Sequence, residues 1–274
     1  MSDTREFSFG DNSVANAYDE VLAPALFEPW ADRLIDEHGP WAGRRVLDLA
    51  TGTGVVAERL ARHVGPNGKV FAADINGEML AIAMKRCAGI APAVEFVECP
   101  AHPLDIDSDS MDFVVCQQGF QFFPDKCAAA QEMYRVLKDG GQSVATTWCP
   151  VVQCQFFGAI CDALGDVGER EIADMMRVPF NVMPVPELTA NFEEAGFADV
   201  QVCQLEQDFV LDGGPAHAID VAYATPIGPT LRAMPEERQA VFCAALTERL
   251  SEISSDGKTM GQMVSNLVSA SKRV

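Results

Sequence analysis

Asp48, Gly52, Gly54 and Asp74 are the residues whose types and spacing can do chemistry together. The first three lie in Val46-Leu-Asp-Leu-Ala-Thr-Gly-Thr-Gly-Val-Val-Ala57, and Asp74 closes the next apolar run. A strand that ends in a glycine-containing turn and passes into a helix brings backbone amides close to a ligand with little steric hindrance. Asp74 follows Gly54 by 20 residues, where a carboxylate can accept hydrogen bonds from two ribose hydroxyls. Read loosely, Gly52-x-Gly54-x-x-Ala57 also fits a dinucleotide fingerprint. Two features oppose that reading. Asp48, inside the strand end, suits a cationic group such as an amine and would repel a pyrophosphate. An Asp-Leu-Ala-Thr lead-in also separates the apolar strand from the turn. An NAD(P)-dependent oxidoreductase and a non-catalytic cofactor-binding regulatory module remain open at this point.

The elements that must position these residues alternate regularly. Strands are expected at Arg45–Leu49, Lys69–Ala73, Val94–Glu98, Met111–Cys116 and Gln142–Trp148. Helices are expected at Gly54–His63, Gly77–Cys87 and Asp125–Leu137, the last stopped by Lys-Asp-Gly-Gly. Such alternation implies βαβ units and a parallel sheet covered on both faces. Residues 1–43 read as a helical cover with a cap at Asp11-Asn12-Ser13 before Val14–Val21, and 44–149 as the ligand-binding core. A helical lid rich in Met, Phe and Cys follows over 150–185. The core returns in 186–212, as a helix over Pro186–Gly196 and a strand over Asp199–Leu211. A second helical insertion spans 213–258: Gly213-Gly214-Pro215 breaks the chain, and Pro235-Glu-Glu marks a helix start. Residues 259–274 return a terminal core strand around Gln262–Ser271.

Composition bounds the function. In 274 residues, 20 Lys+Arg stand against 40 Asp+Glu, a net charge of −20. No basic stripe interrupts that field, so nucleic acid is excluded as a partner, and an anionic membrane surface is disfavoured. The N-terminus lacks the pattern of a signal peptide, and the longest uncharged stretch, from Gly140 to Cys161, is too polar to span a membrane. A cytoplasmic protein, monomeric or homodimeric, is expected. None of the nine cysteines forms a C-x-x-C pair. Cys149, Cys154 and Cys161 read as small buried apolar residues rather than as soft-metal ligands, and no metal is expected.

Four segments in order carry a family resemblance: V-L-D-L-A-T-G-T-G, A-D-I-N-G-E-M-L, S-D-S-M-D-F-V-V-C and E-M-Y-R-V-L-K-D-G-G. From about Val46 to Trp148 the chain resembles a class I S-adenosylmethionine-dependent methyltransferase of the branch that contains the ubiquinone/menaquinone-biosynthesis enzymes. The resemblance implies an α/β, Rossmann-like, doubly wound and mostly parallel seven-stranded sheet with helical lid insertions. It implies transfer of the methyl group of S-adenosyl-L-methionine to a small-molecule O, N, S or C nucleophile, leaving S-adenosyl-L-homocysteine. Asp48 would then lie near the cofactor's amino group, with Ala50, Thr51, Gly52 and Gly54 around its methionine half. Asp74 would hold the ribose, Ile75 and Met79 would flank the adenine, and Gln117 and Gln118 would face the methionine moiety and the substrate. In one place the chain departs from its relatives. Where their loop after strand three often reads Gly-Asp-Ala, with the Asp at the adenine amino group, this chain has Cys99-Pro100-Ala101-His102. The adenine is then left to backbone groups of Ala101 and His102, or to something else.

Methyl transfer from a sulfonium is an in-line displacement with an activated donor. The protein's tasks are alignment and exclusion of water, and a base is needed only for a protonated nucleophile. The candidates for such a base are His102, on the loop at the cofactor, and Tyr18, on the segment that in relatives folds over it.

Overall fold

The computed structural model describes residue 16 and residues 18–181 and 183–273. They form two compact units, one drawn from 27–148, 183–205 and 265–273, the other from 16, 18–26, 149–181 and 206–264. The expected cap at Asp11-Asn12-Ser13 lies outside the described residues.

Eight strands are present: β1 (Arg45–Leu49), β2 (Lys69–Asp74), β3 (Glu95–Glu98), β4 (Met111–Gln117), β5 (Leu137–Trp148), β6 (Ala198–Asp212), β7 (Ser254–Ser255) and β8 (Lys258–Ser271). Seven of them follow the order β3-β2-β1-β4-β5-β8-β6, and the two-residue β7 pairs with β8 off that path. The pairs from β3 to β5 are parallel, while β8 runs antiparallel to β5. This is the mostly parallel sheet expected from the alternation, in the Rossmann-like form that the resemblance implied.

Helices α1 (Glu28–Glu37), α2 (Val55–Val64), α3 (Gly77–Arg86), α4 (Lys126–Val136) and α7 (Val185–Glu194) belong to the sheet unit. Three of these helices show a local cause. The α2 stripe Val56, Ala57, Leu60, Ala61 and Val64 recurs at helical spacing and is buried. Asn76 caps α3 by accepting from the amides of Glu78 and Met79, and Asp125 caps α4 by accepting from Ala128. Helix α1 is tied to α2 and α3 by charge. Arg59 reaches Glu28 at 3.1 Å and Asp32 at 2.5 Å, and Arg86 reaches Glu28 at 3.0 Å. Phe192 of α7 is fully buried against Phe120 and Phe197, with ring centroids 5.2 and 5.4 Å away.

The other unit holds a π-type helical run, Tyr18–Phe27, all but its last residue, with α5 (Gln155–Asp166), α6 (Arg170–Arg177), α8 (Gly214–Tyr223), α9 (Gly228–Ala233) and α10 (Glu236–Ser251). Its core is aromatic: Phe156, Phe157 and Phe209 are buried in mutual ring contact. Cys149, Cys154 and Cys161 have no solvent exposure, as expected of small apolar residues.

Two strand starts differ from expectation by several residues, and those of β3 and β6 by one. β5 begins at Leu137 rather than Gln142, because the backbone of β8's continuation satisfies the glycine turn: Gly140 N–H donates to Lys272 O and Lys272 N–H to Gly141 O, both at 2.9 Å. β8 begins at Lys258 because Asp256 and Gly257, both at positive φ (51° and 75°), close a tight hairpin to β7. Such a pair is the usual two-residue hairpin turn, and Asp-Gly was its visible mark in the sequence.

Candidate functional site at the carboxyl ends of β1, β2 and β4

The parallel register sets Asp48 beside Ala72 and Leu49 beside Ala73, so the turn after β1 emerges next to the end of β2. Residues 50–54 form that turn. Ala50, Gly52 and Gly54 all take positive φ, at 57°, 56° and 83°. Gly54 has a second reason to be glycine, since a Cβ there would come within 2.8 Å of Ala83 Cβ and 3.0 Å of its Cα, where α3 crosses close. Ala50, strained for a residue with a Cβ, occupies space that Gly119 leaves open: a Cβ on Gly119 would lie 2.5 Å from that of Ala50.

Two carboxylates flank the turn. Asp48 is 1% exposed. It accepts from Thr51 Oγ1 at 2.6 Å and from the amide of Ala57. Burial pushes its pKa from an ordinary 3.8 up to about 7, with the nearby Asp74 adding a smaller push the same way. Asp74 binds the turn itself, its Oδ2 accepting from Gly52 N–H and its Oδ1 from Asn76 N–H, each at 2.9 Å. Burial raises its pKa as well. Among the described residues neither acid forms a salt bridge. The backbone bond from Thr51 N to Ala73 O, 3.0 Å, closes the arrangement.

At the end of β4 two glutamines point their amides in fixed senses. Gln117 Nε2 donates to Phe27 O at 3.0 Å, and a carbonyl only accepts. Gln118 Nε2 donates to Ser265 Oγ at 2.5 Å, while that hydroxyl spends its own proton on Thr147 O at 3.0 Å. Both glutamine Oε1 atoms are buried without a hydrogen-bond partner among the described residues. Gln118 also takes a positive φ of 55°, with its amide on Thr146 O.

The expected site residues are thus partly joined. Asp48, Ala50, Thr51, Gly52, Gly54 and Asp74 meet in one hydrogen-bonded turn, and Gln117 and Gln118 stand at the end of the neighbouring strand β4. Ile75 is 70% exposed at the end of β2, whereas Met79 is buried on the inner face of α3 with Leu80 and Ile82. Ala101 is half-buried and His102 exposed, in the loop after β3. His102 lies close enough to Glu132 to help hold that carboxyl below its usual range, mainly an effect of Glu132's hydrogen bonds with Arg135. Tyr18 is half-buried and belongs to the other unit.

Sequence reading passed over Thr53, whose buried Oγ1 has no hydrogen-bond partner, and Gln121, whose Oε1 takes the amide of Trp148 at 2.8 Å. It also passed over Ser265 and Asn266 on β8. Their one sign was a polar pair interrupting an apolar strand.

The chemistry of this donor set suits a ligand with a cationic end near Asp48 and a vicinal diol near Asp74. A Gly-lined turn offering amides lies between them.

Comparison with known proteins follows the same line. A model of the ubiE/COQ5 methyltransferase family matches residues 8–158. The ubiquinone/menaquinone biosynthesis C-methyltransferase UbiE of Xanthomonas campestris pv. campestris is 33% identical over 202 residues, which are 68% of this chain and 79% of the relative. The enzyme of that name from Pseudomonas putida is 39% identical over 136 residues, 48% of this chain; the chain spans about half (53%) of that relative's length. Among solved structures, Haemonchus contortus phosphoethanolamine N-methyltransferase 2 shares the fold with a TM-score of 0.63 at 18% identity, covering 100% of this chain and 61% of that one.

Proposed function

The chain belongs to the ubiE/COQ5 methyltransferase family, and from that premise we propose that it transfers the methyl group of S-adenosylmethionine to a nucleophilic O, N, S or C atom of a small molecule. One observation carries the reading. Asp48, a fully buried acid with no salt-bridge partner among the described residues, sits at a strand end near Asp74, whose carboxylate keeps acceptor capacity after taking the amides of Gly52, Ile75 and Asn76. An ammonium would complete the first and ribose hydroxyls the second.

Bound S-adenosylmethionine supplies an activated methyl group. The chain's own residues bind and orient. Asp48 accepts from the amino group, the amides of residues 50–54 line the methionine half, and Asp74 holds the ribose. Gln117 and Gln118 present buried carbonyl oxygens beside the methionine end. His102 and Tyr18 are the groups to test as bases for a nucleophile that arrives protonated.

The family match ends at residue 158, so the helical segments that follow are the part in which the acceptor's identity is to be sought. The names of the Xanthomonas and Pseudomonas relatives make a carbon acceptor of quinone biosynthesis the first class to try. A cytoplasmic location belongs to the same proposal; among the described residues no helix is long and apolar enough to cross a membrane.

Calorimetric titration with S-adenosylmethionine, S-adenosylhomocysteine and NAD(P) is the direct test. Binding of the first two is expected, and binding of NAD(P) alone would overturn the reading. A screen of candidate acceptors scored by release of S-adenosylhomocysteine then separates an enzyme from a non-catalytic binding module.

A further inference from the structure

We propose that Glu98 reads the 6-amino group of the cofactor's adenine, in place of the aspartate that this chain lacks at Pro100. The inference rests on the cofactor assignment above and deepens it. The sheet register puts Glu98 at the end of β3 directly beside Asp74 at the end of β2. Asp48 lies near the end of the next strand over, β1, one residue short of Leu49 and its partner Ala73. Neighbouring strands lie about 4.8 Å apart and register partners share a face. The ends of β1, β2 and β3 therefore carry one carboxylate each, in the order Asp48, Asp74, Glu98. S-adenosylmethionine carries its hydrogen-bond donors in a matching order along its length: the ammonium, the ribose diol and the adenine 6-amino group.

Glu98 is exposed, and its side chain makes no hydrogen bond or ion pair among the described residues, so its carboxylate is free to meet a ligand; Glu95 at the other end of β3 is paired with Lys69. Glu98 does not cap α3, because the Asn76 side chain already takes the amides of Glu78 and Met79. Its carboxylate rests over Gly77, where a Cβ would come 2.9 Å from Oε2 and 3.2 Å from the carboxyl carbon. Pro100, two residues on, has neither an N–H nor a polar side chain to offer a base. Independently, the turn beside this row holds the Thr53 hydroxyl, on a residue 2% exposed, with no hydrogen-bond partner among the described residues. A buried orphan of that kind points to a ligand at the turn.

The experiment compares S-adenosylhomocysteine with its analogue in which hydrogen replaces the 6-amino group, by calorimetry on the wild type, Glu98→Ala, Glu98→Gln and Gly77→Ala. A charge-assisted hydrogen bond predicts that the wild type favours the amino form about ten- to a hundredfold. Glu98→Ala should lose that preference by weakening only the amino form, and Glu98→Gln should lose part of it. Gly77→Ala, which leaves residue 98 intact but displaces its carboxylate, should move the same way. Unchanged melting temperatures of the free variants show that the fold is kept. A Glu98→Ala protein that retains the wild-type preference overturns the proposal, as does a wild type with none. A wild type that binds neither compound overturns the cofactor assignment itself.

Discussion

The two units differ in the acids they leave without a countercharge. In the sheet unit, beside ion pairs such as Arg59–Glu28 and Arg86–Glu28, Asp48 is buried and Asp74 half-buried at strand ends with backbone amides and one hydroxyl for company, and neither forms a salt bridge among the described residues. In the helical unit several acids at or near the surface are matched to arginines. Arg249 meets Asp166 at 2.6 Å and Asp162 at 3.5 Å, Arg238 meets Glu169, and Arg177 meets Asp174. Exposed pairs of this kind contribute about 0–1 kcal/mol each. An acid held in the interior without a countercharge costs several times more, so it persists only where something outside the fold completes it. The contrast separates charges that keep a surface soluble from charges that wait for a ligand.

Gly54→Val would cut deepest into this comparison. It forces a branched side chain into a positive φ and against Ala83, and should cost roughly 3 kcal/mol or more of stability in chemical denaturation. A variant as stable as the wild type would show that the tight turn does not hold the site. Asp74→Ala should weaken S-adenosylhomocysteine binding by about 1–3 kcal/mol, and unchanged calorimetric affinity would remove Asp74 from the site.

Asp48 tests the idea that function is held against stability. Its pKa in the folded protein, about 7, lies above its ordinary 3.8. The folded state therefore holds its proton more tightly than the unfolded chain. The stability that this contributes is fully present below about pH 4 and lost as pH rises through 7. A ligand ammonium favours the carboxylate form, so cofactor affinity should rise across the same upper range, with a proton released on binding near pH 7. Asp48→Asn should remove the pH dependence, raise the free protein's stability at pH 8 by roughly 1–3 kcal/mol and weaken cofactor binding. Titrations in buffers of different ionisation enthalpy read the proton; heats that do not vary between buffers would count against the assignment. At the small end, Arg249→Ala in the helical unit should shift stability by less than about 1 kcal/mol. A larger loss would mean that the surface pairs are doing more than the comparison allows.

Much of the sheet unit could be read residue by residue. β1 occupies the same five residues that its apolar pattern predicted, and Asp125 begins α4 as a cap because its side chain bonds an amide three residues on. The turn at residues 50–54 was visible because glycine announces positive φ. Ala50, at φ 57°, was not visible as a strained position, since its reason lies in Gly119 across the sheet. Gln118 shows the same limit. The residue could be named from its place after β4, but the orientation of its amide depends on Ser265, 147 positions away in sequence.

What the sequence determined by itself was therefore whatever rests on neighbours a few residues apart: the strand and helix spacing, the caps, the glycine turn and the acids at its edges. Tertiary structure alone decided which end of each glutamine is left free, how far burial lifts Asp48, and that Glu98 stands beside Asp74. Those outcomes depend on strand register and on solvent exclusion by residues distant in the chain, and neither is written in any local pattern.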